Sequence, residues 1–289
     1  MKTQFNKICI FGVGLIGGSL ARAYKKANPN VTIVGIGRNE THLRKTQKLG
    51  VIDSFDMDFS IALKGVDLLV FAMPVGAVGI AFESVKKHLN DSMILTDVGS
   101  TKKNVVEQAS SVLGQFVKNF VPGHPIAGTE KSGAESAFAE LFEQRRVILT
   151  PTKLTDSKAT ERVSALWQAC GAEVIEMSTE HHDKVLAATS HLPHMLAFSL
   201  VDTLSKMNDK QEIFKYAAGG FRDFTRIASS SPEMWQDICL ANSDALIEMI
   251  TQFQSDLNNL TKAIKDTDKE EVLKIFNRAK KARDQFCNE

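Results

Sequence analysis

With 289 residues, 43% of them apolar and 24% charged, the chain is long enough for two folded domains and too rich in core-forming side chains to be disordered. Its 35 Lys and Arg against 34 Asp and Glu leave no global field to draw it to nucleic acid or an anionic membrane, so the expected ligand is small.

The first element in chain order is a buried strand at Ile8-Cys9-Ile10-Phe11, a short continuous apolar run. Glycines follow it, and then a helix through Ser19 to Tyr24. Val31 to Ile36 reads as a second strand, Leu43 to Gly50 as a helix, and Asp67 to Ala72 as a strand. Ala77 to Leu89 is expected helical, Met93 to Thr96 extended and Lys102 to Val112 helical. Phe120-Val121, Val147 to Thr150 and Glu173 to Glu176 are further strand candidates. Strands alternating with helices imply right-handed crossovers and a mostly parallel sheet. From Ser178 onward the pattern is helical, most clearly over Met177 to Lys206, Pro232 to Lys265 and Lys269 to Phe286. Pro193 should kink the first of these, because it lacks a backbone donor and crowds the preceding turn. The expected architecture is a doubly wound α/β domain over 1–177 followed by an all-helical domain over 178–289.

Four cysteines (Cys9, Cys170, Cys239 and Cys287) share no close spacing. They read as buried or incidental thiols of a reducing, cytoplasmic compartment rather than a disulfide framework or zinc knuckle. No apolar run reaches the roughly eighteen residues needed to span a bilayer. Lys2 and Lys7 before the apolar stretch Ile8 to Leu20 imitate a signal peptide. The four glycines inside that stretch have a better explanation.

Gly12-Val13-Gly14-Leu15-Ile16-Gly17 directly follows a strand and opens a helix. In such a loop the first glycine permits a tight turn, the second lets backbone approach a pyrophosphate, and the third allows close helix–strand packing. The helix N-terminus then supplies donors and positive potential. Gly12, Gly14, Leu15, Ile16 and Gly17 are therefore the expected dinucleotide cradle. An enzyme that prefers NAD usually places Asp or Glu after the second strand to hold the ribose 2′-hydroxyl. Here Gly37 stands at that position, followed by Arg38 and Asn39. A forked guanidinium suits a 2′-phosphate, so NADP is the expected cofactor, with NAD possible if Arg38 only stacks on adenine.

Open parallel sheets bind ligands beyond the carboxyl ends of their strands. Three segments end there: Ala72-Met73-Pro74-Val75, Thr96 to Lys102 (TDVGSTK) and Val121 to Glu130 (VPGHPIAGTE). His124, between Pro122-Gly123 and Pro125, has the stiff backbone of a positioned side chain. In these segments, in the loop GVGLIGGS, in EHHDKVLAATSHLPH and in GGFRDFTRIA the chain resembles the prephenate/arogenate (cyclohexadienyl) dehydrogenases of tyrosine biosynthesis, over nearly its whole length and in the same order. It departs at Gly37, where many relatives carry Asp. No fused chorismate mutase and no C-terminal regulatory domain are expected.

The resemblance implies oxidative decarboxylation of a cyclohexadienol with a 4-hydroxyl, a ring carboxylate and a pyruvyl or alanyl side chain. It places His124 on the 4-hydroxyl and Ser100 as its hydrogen-bonding partner beside the nicotinamide. Met73 and Pro74 would line the cofactor. Arg226 would hold a substrate carboxylate, with Arg222 one turn earlier, and His194, Thr129 and Trp235 would line the substrate pocket. Such a base is expected to titrate near an unperturbed imidazole, about 6.5. His191 and His194, with His181, His182 and Asp183 nearby, lack the spacing of a metal site, and the reaction needs no metal. The apolar row Leu246, Ile250, Phe253, Leu257 and Leu260 suits a core or a homodimer interface through the C-terminal helices. Tyrosine, which shares ring and side chain with the substrate, is an expected competitive inhibitor. Two rival readings keep the glycine loop: another two-domain NADP-dependent hydroxyacid dehydrogenase or imine reductase, and a non-catalytic NADP-sensing regulator. The first would place a catalytic Lys or Asp on the long helix after the α/β half, where this chain offers His191 and His194. The second would need none of His124, Ser100 and Arg226.

Overall fold

A computed structural model describes residues 4–129 and 131–287, with side chains through residue 285; Lys2 and Glu130 lie outside these. Six short strands, β1 (Lys7–Phe11), β2 (Thr32–Ile36), β3 (Ser54–Phe55), β4 (Leu68–Phe71), β5 (Ile94–Asp97) and β6 (Phe120–Val121), form a parallel sheet in the order β3-β2-β1-β4-β5-β6. The chain winds outward from β1 to β3, crosses back, and continues from β4 on the other side of β1. The carboxyl ends of β1 and β4, paired through Phe11 and Phe71, therefore flank the switch point where such sheets bind ligands.

Alternation along the strands builds a core on each face of this sheet. Ile8, Ile10, Leu68 and Val70 pack into one with Trp167, and Cys9, Leu69 and Phe71 into the other with Phe82 and Phe120. Trp167 comes from the helix Ser157–Ala169, an element with no counterpart among the expected ones. Cys9 and Cys170 are free and buried, and burial raises both thiols to about 12.

Pro122 ends β6, and the chain then enters a second sheet of β7 (Gly123–Pro125), β8 (Arg146–Leu149) and β9 (Glu173–Glu176). There β7 runs antiparallel and β9 parallel to β8. His124 thus lies on a strand, paired with Ile148, rather than in a free loop.

The kink expected at Pro193 is a π-turn. The helix Thr179–Leu186 widens over Ala187–His191 and resumes as Leu192–Ser205. The wider turn accommodates the missing N–H and the ring of Pro193. The single helix expected from Pro232 to Lys265 is instead two, Pro232–Ala241 and Ser243–Lys265, broken at Asn242. The shorter helices Lys210–Lys215 and Gly219–Thr225 lead to a 3-10 turn, Arg226–Ser229.

Residues up to Ser243 form one compact unit and those from Asp244 a second. In the first unit Trp235 and Ile238 of Pro232–Ala241 join the core beside Phe82, so helices beyond Ser178 pack on the α/β half. The second unit is the helix from Asp244 to Lys265, a tight turn through Thr267 at φ 54°, and the helix Lys269–Cys287. Among the described residues no helix is long and apolar enough to cross a membrane.

Candidate active site

The glycine loop fits a dinucleotide by what each glycine would do if it carried a Cβ. At Gly12, where φ is +99°, the atom would lie 2.5 Å from the Ala72 carbonyl oxygen. At Gly17 it would lie 2.6 Å from the Gly12 oxygen. At Gly14 it would meet nothing within 4 Å. Two glycines are therefore demanded by the protein's own packing, and the middle one faces open space. The helix Leu15–Ala27 has neither a side-chain cap nor an acid in its first turn, so its leading N–H groups are presented to an anion. His42 Nε2 donates to the Val13 carbonyl at 2.8 Å and holds the loop from the side.

Arg38 and Asn39 are exposed after β2. Asn39 caps the helix Glu40–Lys48, its Oδ1 accepting the His42 amide at 3.0 Å. A Cβ on Gly37 would meet only Leu43 side-chain carbons, at 3.7–3.9 Å, and its φ is not in the left-handed region. Nothing in the backbone forbids an acid there.

Past β5 the chain enters the loop that carries Ser100, which is half-buried. The Lys102 ammonium, fully buried, donates to Asp97 Oδ2 and to the Gly123 carbonyl at 2.8 Å, while the Gly123 amide donates to Asp97 Oδ1 at 3.1 Å. The residue preceding His124 is thereby clamped on both backbone groups. Burial lowers the Lys102 pKa, with Asp97 opposing.

His124 is 8% exposed. The hydrogen bond it makes is through Nδ1, 2.9 Å from Nε2 of His182, and not to the expected partner Ser100. Strand pairing with β8 aims the ring at the helix Thr179–Leu186 instead. His182 Nδ1 donates to Asp183 Oδ1 at 2.7 Å. That carboxylate also accepts the Lys102 and Lys103 amides at 2.8 and 2.9 Å, capping the helix Lys103–Val112 from another element. Burial opposes the charge on Asp183, but the bonds from His182 and the two amides outweigh it and hold the carboxyl below its ordinary range.

Burial, then His182, Lys102 and His191, push the His124 pKa well below 6.5. This corrects the expectation of a near-neutral titration: without substrate the imidazole is the neutral base throughout the physiological range. His191 is lowered to about 4, chiefly by burial. Asn242 Nδ2 donates to the Asp183 carbonyl at 2.8 Å and to His191 Nδ1 at 3.1 Å. The His191 Nε2–H consequently faces the Ser100 backbone without reaching hydrogen-bond geometry.

His194 stacks on Trp235, ring centroids 3.8 Å apart at 20°, and its Nδ1 donates to the Ser190 carbonyl at 2.8 Å. Burial lowers its pKa, the bond to Ser190 opposes this, and the charge of Arg226 lowers it further. The structure thus brings together His124 and His182, and separately His194, Trp235 and Arg226. Arg226, Arg222 and Thr129 are exposed, as is Pro74, while Met73 is half-buried. Thr129 Oγ1 is turned toward its own loop and accepts the Lys131 amide at 3.2 Å. Lys102, Asp97, His182 and Asn242 take part in the site without having been singled out for it. The signal for two of them was the charged pair at the ends of DVGSTK. The resemblance puts Asp183 on the pocket side, but no spacing in the sequence links His182 to His124.

Comparison with known proteins follows this geometry. Residues 20–176 match the family model described as prephenate dehydrogenase, nucleotide-binding domain, and residues 178–278 match prephenate dehydrogenase, dimerization domain. The chain is 39% identical over 283 residues to a cyclohexadienyl dehydrogenase of Zymomonas mobilis, covering 97% of this chain and 96% of that protein. It is 38% identical over 286 residues to a prephenate dehydrogenase of Bacillus subtilis, covering 98% and 77%. Among solved structures, prephenate dehydrogenase of Aquifex aeolicus, in complex with hydroxyphenyl propionate and NAD+, superposes with a TM-score of 0.93 at 38% identity, covering 99% of this chain and 100% of that one.

Proposed function

The chain belongs to the prephenate dehydrogenase family, and from that premise we propose that it oxidises and decarboxylates prephenate, arogenate or both in tyrosine biosynthesis, with NADP preferred over NAD. Membership makes it an oxidoreductase with a domain for a nicotinamide nucleotide. The single observation that carries the chemistry is a buried, neutral His124 anchored beyond the carboxyl end of β6.

Bound at Gly12, Gly14, Leu15, Ile16 and Gly17, with Arg38, Met73 and Pro74 along its length, the cofactor would supply the acceptor for the hydrogen and electron pair leaving C4. His124 Nε2 takes the 4-hydroxyl proton. The ketone forming at C4 draws electrons from the ring carboxylate, which departs as CO2 and leaves an aromatic ring. Arg226 holds a carboxylate, with Arg222 in support, while His194 and Trp235 offer a flat face to the ring and Thr129 contributes its hydroxyl on turning from Lys131. Ser100, on the loop that follows β5, would help hold the nicotinamide, while His124 is held by His182. Burial of the base serves the reaction twice: it keeps the imidazole unprotonated and it excludes water.

The Gly37-Arg38 pair supports the NADP preference, since an acid would fit at 37 without strain and none is there. Residues 178–289 form the substrate and dimerisation half, and two copies pair through the C-terminal helices. The product tyrosine competes at the same site. Mixing the protein with prephenate or arogenate and either cofactor, and following reduced-cofactor absorbance, tests the whole reading. Turnover with NADP, raised apparent KM in the presence of tyrosine and an unchanged kcat are expected. No reduction with either substrate would overturn it.

A further inference from the structure

We propose that His182 and Asp183 are positioning residues that hold His124 in one neutral tautomer, with its proton on Nδ1 and its lone pair on Nε2. The proposal rests on the assignment of His124 as the base and adds what makes that base usable.

The direction of the chain follows from who can donate. Asp183 collects the Lys102 and Lys103 amides and the His182 ring, and an ionised carboxylate only accepts. The His182 nitrogen 2.7 Å from it must therefore be Nδ1–H. A neutral imidazole with its proton on Nδ1 has only a lone pair on Nε2. His124 Nδ1, 2.9 Å from that lone pair, must then be the donor, and the free lone pair of His124 falls on Nε2. Reversing the chain would press a lone pair of His182 against the Asp183 carboxylate.

The remaining charged and titratable neighbours are committed elsewhere. Lys102 is held by Asp97 and the Gly123 carbonyl, and His191 by Asn242. His182 is itself kept neutral, because burial lowers its pKa against the pull of Asp183. The frame is rigid at both ends: Asp183 is fixed by the first amides of the helix Lys103–Val112, and His124 by strand pairing with Ile148. Without the relay an isolated imidazole would divide its proton between the two nitrogens, and the copies protonated on Nε2 could not accept a proton there.

Two readouts test this. In the substrate-free enzyme, nitrogen-15 correlation spectra, with His124→Asn and His182→Gln used for assignment, should show both rings protonated on Nδ1. His182→Phe removes the acceptor. It should lower kcat by about 10–10³-fold, less than the roughly 10²–10⁴-fold cost of losing the general base itself, with KM changed less than about threefold and a mixed His124 tautomer. His182→Gln keeps one donor and one acceptor, and should recover most of kcat. It serves also if the Phe variant does not fold. A residue that merely fills space would move stability and leave the tautomer as it was. A His124 proton on Nε2 in the unmutated protein would overturn the proposal, as would unchanged kcat in a folded His182→Phe. If neither prephenate nor arogenate is turned over, the functional reading fails while the tautomer result still stands by itself.

Discussion

At the scale of single residues, the site separates an interaction that grows during the reaction from one that is constant. His124→Asn should lower kcat by about 10²–10⁴-fold with little change in KM, as loss of a general base does. Arg226→Ala should chiefly raise KM, by about tenfold to a hundredfold, since the carboxylate assigned to it in the proposed reaction is charged before and during the reaction. The pH profile carries a sign. Burial and nearby positive charge lower His124 in the free enzyme, so the acid limb of kcat/KM should fall well below pH 6.5. A bound substrate brings carboxylates that favour imidazolium, so the acid limb of kcat should lie at higher pH than that of kcat/KM. Coincident limbs at 6.5 would show that burial does not tune the base. At the cofactor end, Gly37→Asp adds a carboxylate on a Cβ that would meet only Leu43 side-chain carbons, at 3.7–3.9 Å. It should shift kcat/KM toward NAD by about tenfold or more, and Arg38→Ala should lose a similar factor with NADP alone, each a charged hydrogen bond of about 1.5–3 kcal/mol. Equal efficiency with both cofactors before mutation would remove the basis for that preference.

Among the elements, the break at Asn242 shows a side chain overriding helical continuity. Its amide satisfies the Asp183 carbonyl and the His191 ring, both buried. Asn242→Ala should leave His191 Nδ1 unpaired and the Asp183 carbonyl with only its helical partner, the Ala187 amide, lowering stability by about 1–3 kcal/mol. Chemical denaturation would measure this, and an unchanged midpoint would show that water replaces the amide without loss. The π-turn at Ala187–His191 has a similar logic. It ends at His191, whose Nδ1 accepts from Asn242, and His194, three residues on, stacks on Trp235. Both imidazoles meet Trp235, His194 stacked on it and His191 edge-on with ring centroids 6.1 Å apart.

For the whole molecule, two behaviours follow. The helix from Asp244 to Lys265 carries Ile250, Phe253, Leu257, Leu260 and Ile264 at alternating steps of three and four, and Phe253, Leu257 and Ile264 are 37%, 50% and 60% exposed. Such a seam suits a second helix of the coiled-coil kind. Light scattering should find a dimer at micromolar concentration, and Leu257→Lys should shift it toward monomer; a monomeric unmutated protein would contradict pairing by this seam. The second behaviour is acid lability. His124, His182, His191 and His194 are all lowered below 6.5 by burial. The unfolded chain therefore binds protons that the folded one refuses as pH falls through about 6.5, and folding loses on the order of 1 kcal/mol per pH unit for each such group until its folded pKa is reached. Thermal midpoints should be flat above pH 7 and fall steeply from 6.5 toward 5. A flat profile to pH 5 would mean that these rings are less isolated from water than their burial implies.

The primary structure by itself determined the parts set by local rules. The alternation of apolar runs and helical periods specified the parallel sheet, and the spacing Gly12, Gly14, Gly17 specified the cradle, because backbone sterics and strand–helix geometry act over a few residues. The motifs around His124 and Arg226 likewise named the family. What only the tertiary structure decided were pairings between distant segments. That His124 bonds His182, 58 residues away along the chain, rather than Ser100 depends on the chain switching sheets at Pro122 and on a helix arriving from the other half. That its pKa lies far below the unperturbed value depends on burial among His182, Lys102 and His191, and burial belongs to the packed molecule. Hydrogen-bond direction and desolvation are properties of neighbours in space, and the order of residues along a chain does not record them.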